Sequence, residues 1–121
     1  MTYIDGFVIA VPTANKDKFL ASAQHFDAML IEQGALRVME CWADDVKHGK
    51  VTDFFRAVQA TEEESVAFSW VEWPDKATRD AAHASMEEMM ASGDMGEMAM
   101  PFDGKRMIIG GFTPILELGG K

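Results

Sequence analysis

The chain has 121 residues, 48% of them hydrophobic, and this length and composition predict one globular domain spanning residues 1–121. Its net charge of −9, with only 11 Lys and Arg residues, argues against nucleic-acid and membrane partners. The one cysteine, Cys41, allows no intrachain disulfide, and neither a signal peptide nor a membrane-spanning run is apparent. We therefore expect a cytoplasmic protein.

The first predicted element is a strand from Tyr3 to Val11, which is rich in β-branched and aromatic residues and is closed by Pro12. Asp5 is unusual within it, because an unpaired carboxylate that faces a core is costly. We expect Asp5 to lie near the strand end and to be solvated or paired, and a functional carboxylate is the alternative.

A helix is predicted to begin after Asn15, a favourable N-cap, and to end at Gly34, a favourable C-terminal stop. Its apolar residues recur at helical spacing and form a stripe along one side of the helix. The stripe consists of Phe19, Ala23, Phe26 and Leu30, and Asp27 lies outside it.

Three segments with β character follow, over residues 36–43, 54–60 and 65–73. The polar segment around Gly49 is predicted to be a loop. The acidic residues between the last two segments are predicted to form a hairpin tip, so that residues 54–73 form a β-hairpin.

A second helix is predicted to open at Pro74-Asp75 and to end at Gly93, with small apolar residues first and methionines last. A further short helical turn is predicted over residues 94–99. The last strand is predicted to open at Arg106 and to continue to Leu118.

This order of elements predicts an α+β fold, a ferredoxin-like antiparallel sheet with both helices on one face. The other sheet face would carry alternating aromatic residues, and a wide apolar face is not left exposed to water. A second copy of the chain is the simplest cover. We therefore expect a homodimer with the two sheets face to face.

Seven methionines fall between Met86 and Met107, at spacings that could hold Cu(I), but the segment has no Cys or His, so we interpret them as packing or a lid. His83 lies on the second helix and is expected to be a surface or satisfied histidine, with a haem ligand as the alternative. We predict no metal site and no cofactor.

Two cations lie next to apolar strands: Arg56, and Arg106 at the start of the last strand. Either could orient an anionic group of a ligand, and an ion pair with one of the 20 acidic residues is the alternative. Trp42 and Trp70 are expected to line a pocket between helices and sheet. Asp5 or Glu40 could act as a base if burial raises its pKa.

The block MPFDGKRM at residues 100–107 is a specific motif, and further matching positions run along essentially the whole chain. They are Tyr3-x-Asp5-Gly6-Phe7, Asp44-Asp45-Val46, Gly49, Thr52, Phe54, Arg56-Ala57-Val58, Phe68-Ser69-Trp70, Arg79-Asp80 and Gly110-Gly111-Phe112. With these residues the chain resembles the YbaA-like family of small uncharacterised bacterial proteins. The resemblance implies the dimeric α+β barrel superfamily, whose other members include cofactor-free monooxygenases and haem-degrading enzymes.

Two functions remain open at this stage. In the first, each barrel holds a small apolar or aromatic molecule, and the enzymatic form of this function is a cofactor-free, oxygenase-like enzyme. In the second, the protein is a non-enzymatic dimer with an interaction or regulatory role. The fold does not choose between them, because one fold hosts many chemistries.

Overall fold

The structure is a computed structural model that describes residues 2–92 and 101–119. These residues form four strands, two long helices and one short helix. One 3₁₀ turn precedes the first helix, and another precedes the last strand. The strands are β1 (Tyr3–Pro12), β2 (Arg37–Trp42), β3 (Glu64–Trp73) and β4 (Ile108–Phe112), and the helices are α1 (Lys16–Glu32), α2 (Phe54–Ala57) and α3 (Lys76–Ser92).

The four strands form one antiparallel sheet in the order β2-β3-β1-β4. The long strands β1 and β3 pair along their whole length, from Tyr3 opposite Trp73 to Pro12 opposite Glu64. Successive side chains of β1 and β3 point to opposite faces of the sheet, and residues of both strands are buried on each face, as suits central strands. The ferredoxin-like antiparallel sheet predicted from the sequence is confirmed.

Helices α1 and α3 cover one face of the sheet, which we call the helical face. Val11 and Trp73 point to this face and are fully buried. Phe19 and Leu30 of α1 and Met86 of α3 pack on them or on their neighbours. Gly34 ends α1 with a φ of 112°, a conformation that favours glycine, as its predicted role requires.

The prediction of a strand over residues 54–60 and a hairpin to residue 73 is wrong, because residues 54–57 form the short helix α2. The Asp53 carboxylate caps it by accepting hydrogen bonds from the backbone N–H groups of Arg56, at 2.8 Å, and Gly49, at 3.0 Å. The apolar residues after this cap serve packing rather than strand pairing. Val58 is buried against Ala10 and its neighbours on the second sheet face.

Helix α1 begins after Asn15, as predicted, but the side chain of Asn15 makes no cap hydrogen bond and instead donates to the carbonyl of Pro101 at 3.0 Å. Strand β4 ends at Phe112 rather than Leu118, two residues before Pro114, which has no N–H to donate. The predicted helix end at Gly93, and the turn over residues 94–99, lie outside the described residues.

The second sheet face, which we call the open face, is only partly covered by α2. Phe68 and Ile108 are each 43% exposed and Phe112 is 61% exposed. The ring of Phe112 lies over the cross-strand pair Gly6 and Gly110, where the absence of Cβ atoms leaves room for it. The open face is therefore a continuous apolar surface across β3, β1 and β4.

Candidate functional site

A cavity of about 210 Å³ lies between the helical face of the sheet and α1. Its walls are mostly apolar. The polar residues are Ser22 of α1 and a group at one end, where Asp27, Glu40 and Ser69 meet. The apolar wall residues are Phe7, Ile9, Phe19, Ala23, Phe26, Leu30, Val71, Met90, Phe102 and Met107. A cavity with apolar walls and a few convergent polar groups is the usual form of a small-molecule site.

The polar end is built by strand register. Glu40 of β2 stands directly opposite Ser69 of β3, so both side chains emerge on the helical face. Ser69 is 2% exposed, and its hydroxyl donates a hydrogen bond to Glu40 Oε1. Asp27 reaches the same point from α1, one residue beyond the apolar stripe.

Asp27 is hydrogen-bonded to Glu40 at this point. Burial, the hydrogen bond to Glu40 and the negative charge of Glu40 together raise the pKa of Asp27 to about 8. Two neighbouring carboxylates cannot both be charged cheaply in an apolar site, so Asp27 is the protonated partner. The pair can donate or accept a proton inside the cavity.

A second cavity, of about 150 Å³, adjoins the first and shares the walls Phe7, Phe26, Leu30 and Val71. Its polar residues include Asp5 and His83. The remaining lining residues are Trp73, Met86 and Glu87.

Asp5 is wholly buried beside this second cavity, and the side chains of Trp73, Arg79 and His83 lie within hydrogen-bond distance of its carboxylate. Trp73 Nε1 donates to Oδ2 at 2.9 Å, and His83 Nε2 lies 2.9 Å from the same oxygen. Arg79 Nε and Nη2 donate to Oδ1 at 3.0 and 2.9 Å. The hydrogen bonds that Arg79 donates to Asp5 raise the pKa of Arg79. Asp5 is thus paired near the strand end, as one of the two sequence interpretations held.

Tyr3 and Gly111 complete this corner. The Arg79 guanidinium lies 5.2 Å from the centre of the Tyr3 ring, which favours a cation–π contact. Gly111 is opposite Asp5 in the sheet, and a Cβ atom there would clash with the Tyr3 hydroxyl and lie 2.8 Å from Arg79 Nη2. Glycine at this position lets the strand approach the Asp5–Arg79 pair closely.

The predicted ligand-binding residues do not converge on the cavity. Trp42 contacts Phe19, with ring centres 6.0 Å apart, but is not part of the cavity wall. Trp70 lies on the open face, because residues alternate along β3 and Ser69 already points to the helices. The expectation that Trp70 lines a pocket between helices and sheet is therefore wrong.

Both predicted cations are occupied by protein groups. Arg106 Nη2 pairs with Glu64 Oε2 at 2.6 Å, and Nη1 donates to the carbonyl of Gln59 at 2.7 Å. Arg56 Nη1 and Nη2 donate to the backbone carbonyls of Lys50 and Gly49. These contacts match the ion-pair alternative for Arg106, and a ligand role for either arginine stays a prediction.

A family model described as "Protein of unknown function (DUF1428)" matches residues 2–104. The chain belongs to this family. It is 52% identical over 117 residues to "Uncharacterized protein YbaA" of Escherichia coli strain K12, and equally to the protein of that name in Shigella flexneri. Each alignment covers 97% of this chain and 99% of the relative.

Among solved structures, this DUF1428 chain resembles a dimeric ferredoxin-like protein from an uncultured marine organism, with a TM-score of 0.61 and 11% identity. The superposition covers 98% of this chain and 100% of that one. At this identity the likeness shows the fold alone. It agrees with the α+β sheet topology described above.

Within residues 2–92 and 101–119, the DUF1428 chain has no group of three His, Cys, Asp or Glu side chains suited to a metal ion. No helix in the same ranges is long and apolar enough to cross a bilayer. Met95, Met98 and Met100, which belong to the methionine-rich segment, lie outside the described residues.

Sequence reasoning missed Asp27 and Ser69 as members of the site. Asp27 directly follows the apolar Phe26, and its position beside the stripe was a signal that it borders the core rather than the solvent. Ser69 lies between Phe68 and Trp70, and its burial follows only from the strand register. Glu40 was singled out in the sequence as a candidate base. It lines the cavity, and its role as a base stays a prediction.

Proposed function

We propose that this protein binds a small apolar or aromatic molecule in the cavity beneath α1 and exchanges a proton with it through Asp27 and Glu40. The observation that carries the proposal is the hydrogen-bonded carboxyl pair Asp27–Glu40, which lies with Ser69 at one end of a mostly apolar cavity. The apolar walls supply binding, and the carboxyl pair supplies orientation and acid–base chemistry.

The two carboxyl groups have different roles in this proposal. Protonated Asp27 donates a hydrogen bond to a ligand oxygen or nitrogen at neutral pH, since its pKa is about 8. Glu40, which accepts from Ser69, is positioned to take up a proton that the ligand releases. Removal of a substrate proton is also a step that a cofactor-free oxygenase-like enzyme would need, and that activity is the enzymatic form of the proposal.

The assembly we propose is a homodimer in which two open faces pack together. Support comes from the exposed apolar side chains of Phe68, Ile108 and Phe112, because a monomer would leave them in contact with water. The word "dimeric" in the description of the marine ferredoxin-like protein also supports it. A cytoplasmic location remains part of the proposal.

A non-enzymatic dimer with an interaction or regulatory role is the second candidate. The segment after β4 favours it, since Ile115 is 96% exposed, Leu116 76% and Leu118 82%. Apolar side chains with this exposure are suited to contacts with another protein surface.

A ligand screen with two matched variants tests the first proposal. Ala23 lines the cavity and Ala28 is exposed on the same helix, so Ala23→Leu fills the cavity and Ala28→Leu does not. Small aromatic compounds that raise the melting temperature of wild type and of Ala28→Leu should not raise that of Ala23→Leu. If Ala23→Leu responds like wild type, the compounds bind elsewhere and the proposed cavity is wrong.

A further inference from the structure

His83 is held in a fixed orientation beside the second cavity. Its Nε2 atom lies 2.9 Å from Asp5 Oδ2, and its ring lies edge-on to Trp73, with centroids 6.4 Å apart. Its side chain is 31% exposed, whereas Asp5 is wholly buried. One edge of the imidazole therefore faces a buried carboxylate, and part of the ring is open to the cavity.

The surroundings of Asp5 determine which nitrogen of His83 carries a proton. Trp73 Nε1 and the Arg79 guanidinium can only donate hydrogen bonds, so Asp5 accepts on both oxygens. His83 Nε2 must then also donate to Asp5. In the neutral imidazole the lone pair is left on Nδ1, and a buried carboxylate that fixes a histidine in this way prepares the other nitrogen to accept a proton.

The two cavities offer different polar groups to one ligand. They share four apolar lining residues, as described above, so the two cavities lie against the same side chains. The Asp27–Glu40 end carries two carboxyl groups and disfavours an anionic group. At the other end, Arg79 balances Asp5, and Glu87 is the further charged residue that lines the cavity.

We propose that His83 is a second proton-accepting residue of the same site, and that the ligand is an aromatic molecule with a phenol-type hydroxyl directed at Nδ1. In this step the O–H bond breaks, the proton forms a bond to Nδ1, and the electron pair stays on the phenolate oxygen. The Asp5 carboxylate stabilises the resulting imidazolium. No oxidant or reductant takes part. This inference rests on the proposed binding function.

The first test measures the ligand-free protein by ¹⁵N NMR of the imidazole side chains. We expect the neutral His83 ring to carry its proton on Nε2, with His25 and His48 as internal references. A neutral ring protonated on Nδ1 would overturn the inference, because Nδ1 would then have no lone pair to accept a proton.

The second test uses 4-nitrophenol, a phenol that titrates near neutral pH and turns yellow on ionisation. We expect binding to wild type to increase the yellow absorbance at slightly acidic pH and to shift the His83 imidazole signals. His83→Gln keeps a side-chain N–H for Asp5 but lacks Nδ1, so it should bind the probe without the increase. His25→Gln is the matched control, because His25 lies on the exposed part of α1.

The outcomes separate the two proposals. Binding in the cavity with no change in absorbance or in the His83 signals overturns the His83 inference alone. Equal ionisation in wild type and His83→Gln also overturns it. If 4-nitrophenol at millimolar concentration changes neither the melting temperature nor any cavity signal, both the inference and the proposed binding of phenolic molecules fail.

Discussion

Asp27 on α1 is hydrogen-bonded to Glu40 on β2, so one helix and one edge strand are joined through a shared proton in an apolar cavity. This contact has a defined dependence on pH. The buried position of Asp27 beside Glu40 favours the protonated form of Asp27. At a pH where Asp27 must lose its proton, the same position lowers the stability of the folded state. The same arrangement is suited to proton exchange with a bound molecule.

The first prediction concerns Asp27→Asn. Asp27 has a folded pKa of about 8 and an ordinary value of 3.8, so the folded state holds the extra proton between these limits. Its contribution to stability is greatest at low pH and is lost as pH rises from about 4 to 8. Thermal unfolding of Asp27→Asn and wild type should therefore diverge in favour of the variant as pH rises.

Glu32→Gln is the control for this pH series, because Glu32 is an exposed carboxylate on the same helix. Its melting temperature should follow that of wild type at each pH. A constant difference between Asp27→Asn and wild type over the same range would show that Asp27 and Glu40 do not share a proton.

The second prediction concerns Asp5→Asn. Asn accepts through one oxygen only, so Trp73, Arg79 and His83 lose part of their pairing and the Arg79 charge is left partly unbalanced. Breaking a buried pair from one side costs about 3 kcal/mol. Urea denaturation should show this loss, whereas Asp80→Asn, which removes an exposed partner of Arg79, should cost much less. Equal losses in the two variants would contradict a special role for Asp5.

The third prediction concerns acid stability through Glu64. Its hydrogen bond from Arg106 lowers the pKa of Glu64 from 4.5 to about 2. This pair therefore contributes stability above about pH 4.5, and the contribution is lost as pH falls toward 2. Glu64→Gln should reduce the melting temperature at pH 6, and its difference from wild type should shrink below pH 4.5. The exposed neighbour variant Glu63→Gln should show no such trend.

The fourth prediction concerns the two adjacent glycines in β4. Gly111→Ala forces Tyr3 and Arg79 to move, and overpacking of this kind costs about 1–3 kcal/mol. In Gly110→Ala the new Cβ meets only the Phe112 ring, at 3.2 Å, and that side chain borders the open face. Urea denaturation should rank Gly111→Ala as the less stable variant. If Gly110→Ala were the less stable variant, the tighter packing would be that around Phe112 on the open face.

The fifth prediction concerns the proposed dimer. Phe68→Glu would place a charge, together with its symmetry copy, in a contact between two open faces, and light scattering should then show a monomer. Leu20→Glu makes the same kind of change on the outside of α1, where Leu20 is 49% exposed, and should leave the dimer intact. Dimers of equal stability in both variants would exclude the open face as the interface.

The sequence predicts the sheet well because its two central strands carry strong local signals. β1 and β3 are rich in β-branched and aromatic residues and are closed by turn residues, so their limits follow from local chemistry. Residues 54–60 have similar composition but follow Asp53, whose carboxylate caps two backbone N–H groups and starts a helix. The capping contact outweighs the intrinsic preference for a strand.

The site is less predictable because it depends on contacts between distant residues. Asp5 and Glu40 stand out in sequence as acids within strands, but their partners Arg79 and Asp27 are fixed only by packing of the helices. Arg106 stands out as a cation beside a strand, and its neighbour Glu64 occupies it. Residue type alone does not show whether a charge is available to a ligand.

The Asn15 side chain binds the Pro101 carbonyl at the point where the described chain resumes. The next residue, Phe102, forms part of the cavity wall and contacts Phe19 of α1, with ring centres 6.0 Å apart. The start of α1 therefore anchors this wall of the cavity through one side-chain hydrogen bond and one ring contact.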